Sequence, residues 1–289
     1  MNAYLSIRNL SVALRGGGPI LRDVSLNVAA GQVHGLVGES GAGKSMIGKA
    51  ILGTLPRALE VTNGQIWLDG VDLLTLRSTV RRKRIGATAA LIPQDPLTAL
   101  NPSRRIGPQI TRRLVDILGW SKTDAQARAL ELLDEVHIPD PDRVMRNYPH
   151  ELSGGMRQRI LIASAFAAEP KLIIADEPTT ALDVTVQKQI LRLIAEMQRR
   201  HGTALLFVTH DLGVVSKVCD TLSVLYAGKV VEDAHMHRFF MSPIHPYSAA
   251  LLAATPTYTD PTRSLTPVPQ SVIDRVEQDV AEHDIRHRI

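Results

Sequence analysis

The chain has 289 residues, of which 44% are hydrophobic and 21% charged, and its formal net charge at neutral pH is +4. This length is enough for a full α/β core plus an appended segment. The mild charge and the 4% aromatic content argue against a nucleic-acid partner, which needs a basic surface and rings that stack on bases.

No apolar run approaches the ~18 residues that span a bilayer, and residues 1–6 lack the charged and apolar regions of a signal peptide. We therefore expect a cytosolic protein, or one held at a membrane only through partners. The single cysteine, Cys219, excludes an internal disulfide and an all-cysteine metal site. Its apolar neighbours predict a small core residue rather than a reactive thiol.

The amino-terminal part predicts an antiparallel hairpin followed by a buried strand. Two apolar segments, residues 5–12 and 20–28, are separated by the turn-forming stretch 15–19. The apolar run 32–37 then leads directly into a glycine-rich loop that matches G-x-x-x-x-G-K-S. This loop consists of Gly38, Glu39, Ser40, Gly41, Ala42, Gly43, Lys44 and Ser45.

The glycine-rich loop lies where a strand should turn into a helix, and apolar residues follow it at 47 and 50–52. Backbone amides in such a loop point inward around phosphates, and the helix N-terminus adds partial positive charge. Lys44 is therefore predicted to reach the β- and γ-phosphates of a nucleotide, and Ser45 to hold Mg²⁺.

The middle of the chain predicts a short strand, a basic helix and a helical insert. Residues 64–70 form the short strand, and the basic run 77–84 is a solvated helix face or a contact for anionic lipid. A strand at 89–92 leads to Gln94 and the segment 95–102. Residues 107–148 have helical periodicity.

Two further motifs follow the insert. The segment Leu152, Ser153, Gly154, Gly155 and Met156 opens a helix that Ser153 should cap. The apolar run 171–175 predicts a strand buried on both faces, and it ends in Asp176 and Glu177. A carboxylate pair at the end of a parallel strand fits a Mg²⁺ ligand, Asp176, and a base that activates water, Glu177.

The carboxy-terminal third predicts a helix at 183–200, buried strands at 203–208 and 221–226, and His210 directly after the first of these strands. From about Met241 the pattern weakens and prolines become frequent. The final stretch, 272–289, predicts a polar helix.

In this order the motifs resemble the ABC ATPase family over roughly residues 4–240. The resemblance implies an α/β P-loop NTPase core with an antiparallel β subdomain, a helical insert at about 97–158 and a carboxy-terminal extension at 241–289. It also implies ATP hydrolysis coupled to transport, with ATP and Mg²⁺ as ligands.

The resemblance also implies a role for each motif. Residues 38–45 form the Walker A loop, with Met46 in the ATP-binding set, and residues 172–177 form the Walker B strand. Gln94 is the Q-loop residue, which contacts Mg²⁺ and the attacking water. His210 is the switch histidine, which contacts the γ-phosphate. Residues 152–156 are the signature that acts on the ATP of a partner ATPase, and Asp183 ends the D-loop. The aromatic residue that usually stacks on adenine is replaced by Leu14, and Arg15 is the candidate substitute.

A narrower resemblance is to the oligopeptide, dipeptide, nickel and opine importer branch. It rests on residues 94–102 (QDPLTALNP), Pro149, His150 and Glu151, residues 175–183 (ADEPTTALD) and residues 245–252 (HPYSAALL). This branch implies a second ATPase subunit, identical or related, two membrane permeases and, indirectly, a solute-binding protein. The chain would then be peripheral, at the cytoplasmic face of the bacterial inner membrane. Members often carry a cysteine cluster in the tail, which this tail lacks, so we predict no iron–sulfur cluster.

Three alternatives to an importer are open at this stage: an exporter ATPase, a non-transport ABC protein in DNA repair or at the ribosome, and a nucleotide sensor that does not hydrolyse ATP. Residues 94–102 and the tail argue against the first alternative. The second would be expected to show tandem cassettes, zinc modules or long coiled coils, and Glu177 with His210 argue against the third. We expect residues 95–102 to dock the permeases through exposed Leu97, Ala99 and Leu100. The extension should pack on its own core or on the partner ATPase, and truncation after Asp233 should largely spare ATP binding.

Overall fold

The computed structural model describes residues 3–180, 182–255 and 268–287. The chain divides into two compact units: unit 1 combines Met1–Leu76 with Leu206–Ile289, and unit 2 is Arg77–Leu205. Among the described residues, no helix is both long enough and apolar enough to cross a membrane.

The strands are β1 (Ala3–Leu14), β2 (Pro19–Ala29), β3 (Val33–Val37), β4 (Leu59–Leu68), β5 (Val71–Asp72), β6 (Ala89–Ile92), β7 (Leu172–Asp176), β8 (Ala204–Thr209), β9 (Thr221–Tyr226) and β10 (Lys229–His235). The α-helices are α1 (Lys44–Leu52), α2 (Ser78–Thr88), α3 (Pro96–Ala99), α4 (Ile106–Asp116), α5 (Lys122–Glu135), α6 (Pro141–Arg146), α7 (Gly154–Phe166), α8 (Val184–His201), α9 (Leu212–Val218), α10 (Met236–Met241), α11 (Pro246–Ala254) and α12 (Gln270–His287). Short 3-10 helices lie at Leu73–Thr75 and Pro149–Glu151.

The first sheet of unit 1 is antiparallel, with the strand order β2-β1-β4-β5. Ile7 on β1 pairs with Leu26 on β2 and with Ile66 on β4, and all three side chains are buried. The predicted antiparallel start is therefore confirmed.

Unit 1 also contains strands in the order β10-β9-β3-β8. All residues of β3, β8 and β9 are buried, as expected for parallel strands covered on both faces. β3 runs parallel to β9, whereas β9 and β10 form an antiparallel hairpin. β3 thus delivers its carboxyl end, Val37, directly to the glycine-rich loop.

The carboxy-terminal helices of unit 1 pack on its own core. Tyr247 of α11 and Val276 of α12 share one buried cluster with Val37 at the end of β3. Truncation after Asp233 would open this cluster, and the expectation that the truncated chain largely keeps ATP binding stays a prediction. Prolines alone do not show whether a tail packs.

Unit 2 holds the helical insert and two parallel strands, β6 and β7. The insert consists of α4, α5 and α6, whose buried faces include Ile110, Leu114, Leu132 and Val144. The basic run lies on α2, a helix in which only Ile85 is buried. The helix after the signature, α7, is capped by Ser153 as predicted.

Candidate nucleotide-binding site

The glycine-rich loop of unit 1 follows a path that two of its glycines permit. A Cβ at Gly38 would overlap the carbonyl oxygen of Leu225 on β9, because the two backbones nearly touch. Gly43, the residue before α1, has a φ of 101°, and a Cβ there would lie 2.8 Å from a methyl group of Leu21. Both positions require glycine, one for close backbone approach and one mainly for its left-handed conformation.

Lys44 is the central charge of this loop. Its side chain is buried, and its Nζ donates hydrogen bonds to the carbonyl oxygens of Gly38 and Glu39, each at 2.8 Å. Carbonyl acceptors stabilise the buried ammonium group and hold it inside the curve of the loop. The loop therefore concentrates positive charge beside the N-terminus of α1, which is a site suited to phosphate.

The other side of the loop is fixed by the β9–β10 turn. The amide of Gly228 donates to the carbonyl oxygen of Ala42 at 2.8 Å, and the amide of Arg22 donates to the carbonyl oxygen of Gly228 at 2.8 Å. Within the loop, the amide of Met46 donates to the carbonyl oxygen of Gly43 at 3.0 Å. The loop is thus bonded to the β9–β10 turn and to its own helix, and that turn is also bonded to β2.

In unit 2 the acidic end of β7 holds Glu177 in an uncommon conformation. Its φ is 46°, in the left-handed region that costs a non-glycine residue about 1–3 kcal/mol. Its carboxylate oxygen Oε2 accepts hydrogen bonds from Thr180 Oγ1 at 2.9 Å and from Gln94 Nε2 at 3.4 Å. The structure therefore brings together Gln94 and Glu177, which are 83 residues apart in the sequence.

The signature segment presents two of its residues to solvent. Ser153 Oγ accepts a hydrogen bond from the amide of Met156 at 3.3 Å, while Leu152 is buried beneath it. Ser153 and Gly154 are exposed, and a Cβ at Gly154 would meet nothing within 4 Å. This part of unit 2 is free of packing within its own unit and is accessible to a partner.

Sequence reasoning missed Gln158, which ties the signature helix to the acidic turn. Gln158 is fully buried on α7, and its Nε2 donates to the carbonyl oxygen of Pro178 at 2.8 Å. Pro178 directly follows Glu177, so this bond anchors the turn that carries the Glu177 carboxylate. The available signal was the spacing of Gln158, three and four residues before Leu161 and Ile162, which places it on the apolar face of α7.

Asp183 and His210 occupy the ends of elements. Asp183 Oδ1 accepts from the amides of Thr185 and Val186 at 3.0 and 2.9 Å, so it caps α8. His210 is exposed and directly follows β8, the strand next to β3 in unit 1. Thr209 Oγ1 accepts from the amide of Asp211 at 3.1 Å, which shapes the turn after His210.

The exposure predicted for the apolar residues of segment 95–102 is confirmed for Leu97 but wrong for Leu100, and docking of permeases by this segment stays a prediction. Leu97 on α3 is 64% exposed, whereas Leu100 is 3% exposed. Leu100 follows the carboxyl end of α3 and turns inward, so its apolar side chain belongs to the core of unit 2. Ala99 is exposed as predicted.

A basic groove of about 670 Å³ lies in the helical insert of unit 2. Its charged lining residues are Arg104, Arg105, Arg112, Lys122 and Arg146, with Asp116 as the acidic residue. Arg112 Nε pairs with Asp116 at 3.1 Å. The groove therefore has excess positive charge and would attract an acidic surface.

Neither residue at the position expected to stack on adenine offers a free planar group: Leu14 is aliphatic, and Arg15 is engaged in other contacts. Leu14 is 43% exposed at the end of β1. The Arg15 guanidinium donates to the carbonyl oxygen of Arg57 at 3.0 Å and pairs with Glu60 at 3.3 Å. Stacking by Arg15 would require it to leave these contacts, so the structure does not favour it as the substitute.

Comparison with known proteins agrees with this architecture. The profile described as ABC transporter matches residues 21–180. The chain is 49% identical to the probable D,D-dipeptide transport ATP-binding protein DdpD of Escherichia coli, over 87% of this chain and 77% of that protein. It is 44% identical to the oligopeptide transport ATP-binding protein OppD of Bacillus subtilis, over 88% and 72%.

Among solved structures, the dimeric post-hydrolysis structure of the ATP-binding cassette MJ0796 bound to ADP and Pi matches with a TM-score of 0.70 and 26% identity. The match covers 80% of this chain and 98% of that one. The phosphate loop, the acidic strand end and these relatives together show that the chain belongs to the ABC transporter family and has its ATPase fold.

Proposed function

We propose that this chain is the ATP-hydrolysing subunit of an ABC importer that takes up a peptide or a related small solute, such as a nickel chelate or an opine. The observation that carries the proposal is the loop around Lys44, together with a Glu177 carboxylate held by Gln94 and Thr180. The peptide class is supported by relatives whose names specify dipeptide and oligopeptide transport.

The chemistry proposed for ATP is mainly electrostatic positioning. The loop amides and Lys44 would bind the β- and γ-phosphates, and the amide oxygen of Gln94 and the carboxylate of Glu177 would orient the attacking water. His210 would contact the γ-phosphate. Glu177 is suited to its role because its carboxylate is fixed by two donors and needs little rearrangement before it accepts a proton.

The residues assigned to Mg²⁺ fit that ion by chemistry. Ser45 offers a hydroxyl, Gln94 an amide oxygen and Asp176 a carboxylate, all of them hard oxygen donors. In the described part of the chain, no group of three or more His, Cys, Asp or Glu is arranged to hold a metal. A single carboxylate agrees with a Mg²⁺ site that is completed by substrate phosphates, and Mg²⁺ bound there would neutralise charge on those phosphates.

The proposed active form is a pair of ATPase subunits, either two copies of this chain or this chain with a related one. In the family pattern, Ser153 and Gly155 act on the ATP of the partner. This role is supported by the exposure of Ser153 and of the neighbouring Gly154 in unit 2. Two membrane permeases and, indirectly, a solute-binding protein would complete the transporter.

We propose that unit 2 carries the permease-docking surface, consisting of Leu97 and the basic groove defined above. Leu97 offers an exposed apolar contact, and the groove offers positive charge for an acidic cytoplasmic segment. The chain would then be a peripheral protein at the cytoplasmic face of the inner membrane. The division into a nucleotide-binding domain at 1–240 and an extension at 241–289 remains part of this proposal.

The direct test is reconstitution of this chain with its partner ATPase and permeases in proteoliposomes. ATP hydrolysis and the transport of a labelled dipeptide are then measured. We expect ATP hydrolysis that rises with the cognate solute-binding protein and uptake that stops in Glu177→Gln. ATP hydrolysis without solute uptake would contradict the importer assignment. ATP binding without hydrolysis in the full complex would instead favour the nucleotide-sensing alternative.

A further inference from the structure

The carboxy-terminal extension contacts the strand that leads into the phosphate loop. Tyr247 of α11 is fully buried in the cluster that contains Val37, the residue before Gly38. Its ring meets the ring of Tyr226 edge-on, with centroids 4.8 Å apart. The extension therefore reaches the base of the Walker A loop from within unit 1.

The hydroxyl group of Tyr247 is buried and forms no hydrogen bond of good geometry with a described residue. A buried hydroxyl without a partner is costly, so its retention needs an explanation. Its neighbour is Glu39 of the Walker A loop: burial first, and then the negative charge of Glu39, raise the pKa of Tyr247. The phenol is thus a neutral donor beside a loop carboxylate.

A second contact reaches the other half of the loop from α12. The Arg22 guanidinium pairs with both carboxylate oxygens of Asp284, at 2.7 and 3.0 Å. The same guanidinium donates to the carbonyl oxygen of Ala227 at 2.6 Å, and the next residue, Gly228, donates its amide to Ala42. Two-point contact with a carboxylate gives this link a defined geometry.

We propose that the extension braces the Walker A loop at two points, with Tyr247 acting on the Glu39 half and Asp284 acting on the Ala42 half. Tyr247 and Asp284 are positioning residues, since neither belongs to the loop itself. The Tyr247 hydroxyl donates to the Glu39 carboxylate when phosphates are bound, which gives the buried hydroxyl a partner. This inference rests on the proposed function only in taking ATP as the ligand of the loop.

The hydroxyl is tested in the full-length chain with Tyr247→Phe, and Tyr226→Phe is the matched control. Tyr226 lies in the same aromatic pair, and its hydroxyl donates to Glu277 of α12 at 3.5 Å. We expect Tyr247→Phe to keep or raise the melting temperature while it weakens ATP binding roughly tenfold to a hundredfold, the value of one hydrogen bond to a charged group. Tyr226→Phe should change ATP affinity less than twofold.

A double-mutant cycle with Glu39→Gln links the effect to the proposed partner. If Tyr247 acts through Glu39, the two substitutions together should weaken ATP binding no more than the stronger one alone. Unchanged ATP affinity in Tyr247→Phe, or a loss that follows a fall in melting temperature, would overturn the role of the hydroxyl. Independent, additive losses in the cycle would also refute it.

The Asp284 contact is tested without ATP, so that its result is independent of the proposed function. Asp284→Asn should speed amide hydrogen exchange in residues 38–43 about tenfold, and Asp274→Asn, an exposed carboxylate on the same helix, should leave it unchanged. Equal exchange in the two variants would overturn the brace. If Asp284→Asn shows faster exchange while the wild-type protein binds no ATP, the proposed function is refuted and the brace is kept.

Discussion

His34 should make the stability of unit 1 depend on pH. Its ring is 1% exposed on β3, where Nδ1 lies 2.7 Å from Thr221 Oγ1 and Nε2 lies 2.9 Å from Ser223 Oγ. Ser223 Oγ donates its hydrogen bond to Asp233 at 2.6 Å, so it accepts a hydrogen bond from the protonated Nε2. This arrangement satisfies the neutral imidazole, and burial lowers the pKa of His34 to about 4 despite the opposing charge of Asp233.

The sign of the effect follows from the difference between the folded and unfolded states. The pKa of an unfolded histidine is near 6.5, so below that pH the unfolded chain binds a proton that the folded chain refuses. The contribution of His34 is therefore complete above pH 6.5 and is lost as the pH falls towards 4. From pH 7.5 to pH 5 the free energy of unfolding should fall by about 2 kcal/mol through this one group.

The assay is urea unfolding of the wild type and of His34→Gln at pH 7.5 and pH 5.0, combined with an NMR titration of the ring. Subtracting the variant removes contributions from other titrating groups, provided that both proteins unfold in one transition. Equal losses of stability in wild type and variant would refute the reasoning. A ring that titrates near 6.5 in the folded protein would refute it directly.

Three further predictions concern the site in unit 2 and the loop in unit 1. Glu177→Gln should bind ATP but hydrolyse it more slowly by a factor of about 10² or more, whereas Lys44→Ala should fail at binding. Near-normal turnover in the glutamine variant would remove Glu177 from the role of base. Gln158→Ala should lower the free energy of unfolding by about 1–3 kcal/mol, because the Pro178 carbonyl oxygen loses its buried hydrogen-bond donor. An unchanged melting temperature would contradict this. Leu97→Glu should keep ATP binding but no longer co-purify with the permeases. Leu100→Glu should instead destabilise the fold, because the Leu100 side chain is buried. Continued transport by the Leu97→Glu variant would place the docking surface elsewhere.

The motifs that depend on local geometry were predictable from the sequence. A buried strand, a glycine-rich turn and a helix beginning at the end of that turn all follow from neighbouring residues, and the structure has β3 and α1 on either side of the loop. Ser153 likewise caps the helix that begins one residue later. Such features involve contacts across only a few positions, so residue type and spacing are sufficient to specify them.

The contacts between distant segments were decided only by the tertiary structure. The close approach of Gly38 to the β9 backbone, the bond from Gln158 to Pro178 and the burial of Leu100 depend on elements that meet after folding. Prolines in the tail favoured a loose extension, yet Tyr247 packs into the same cluster as Val37. The sequence by itself determined which residues form the phosphate loop and the acidic strand end, because short-range spacing carries that chemistry. Only the packing of unit 1 decided what supports the loop, because the supporting residues lie about 200 positions away along the chain and come into contact through burial of apolar surface.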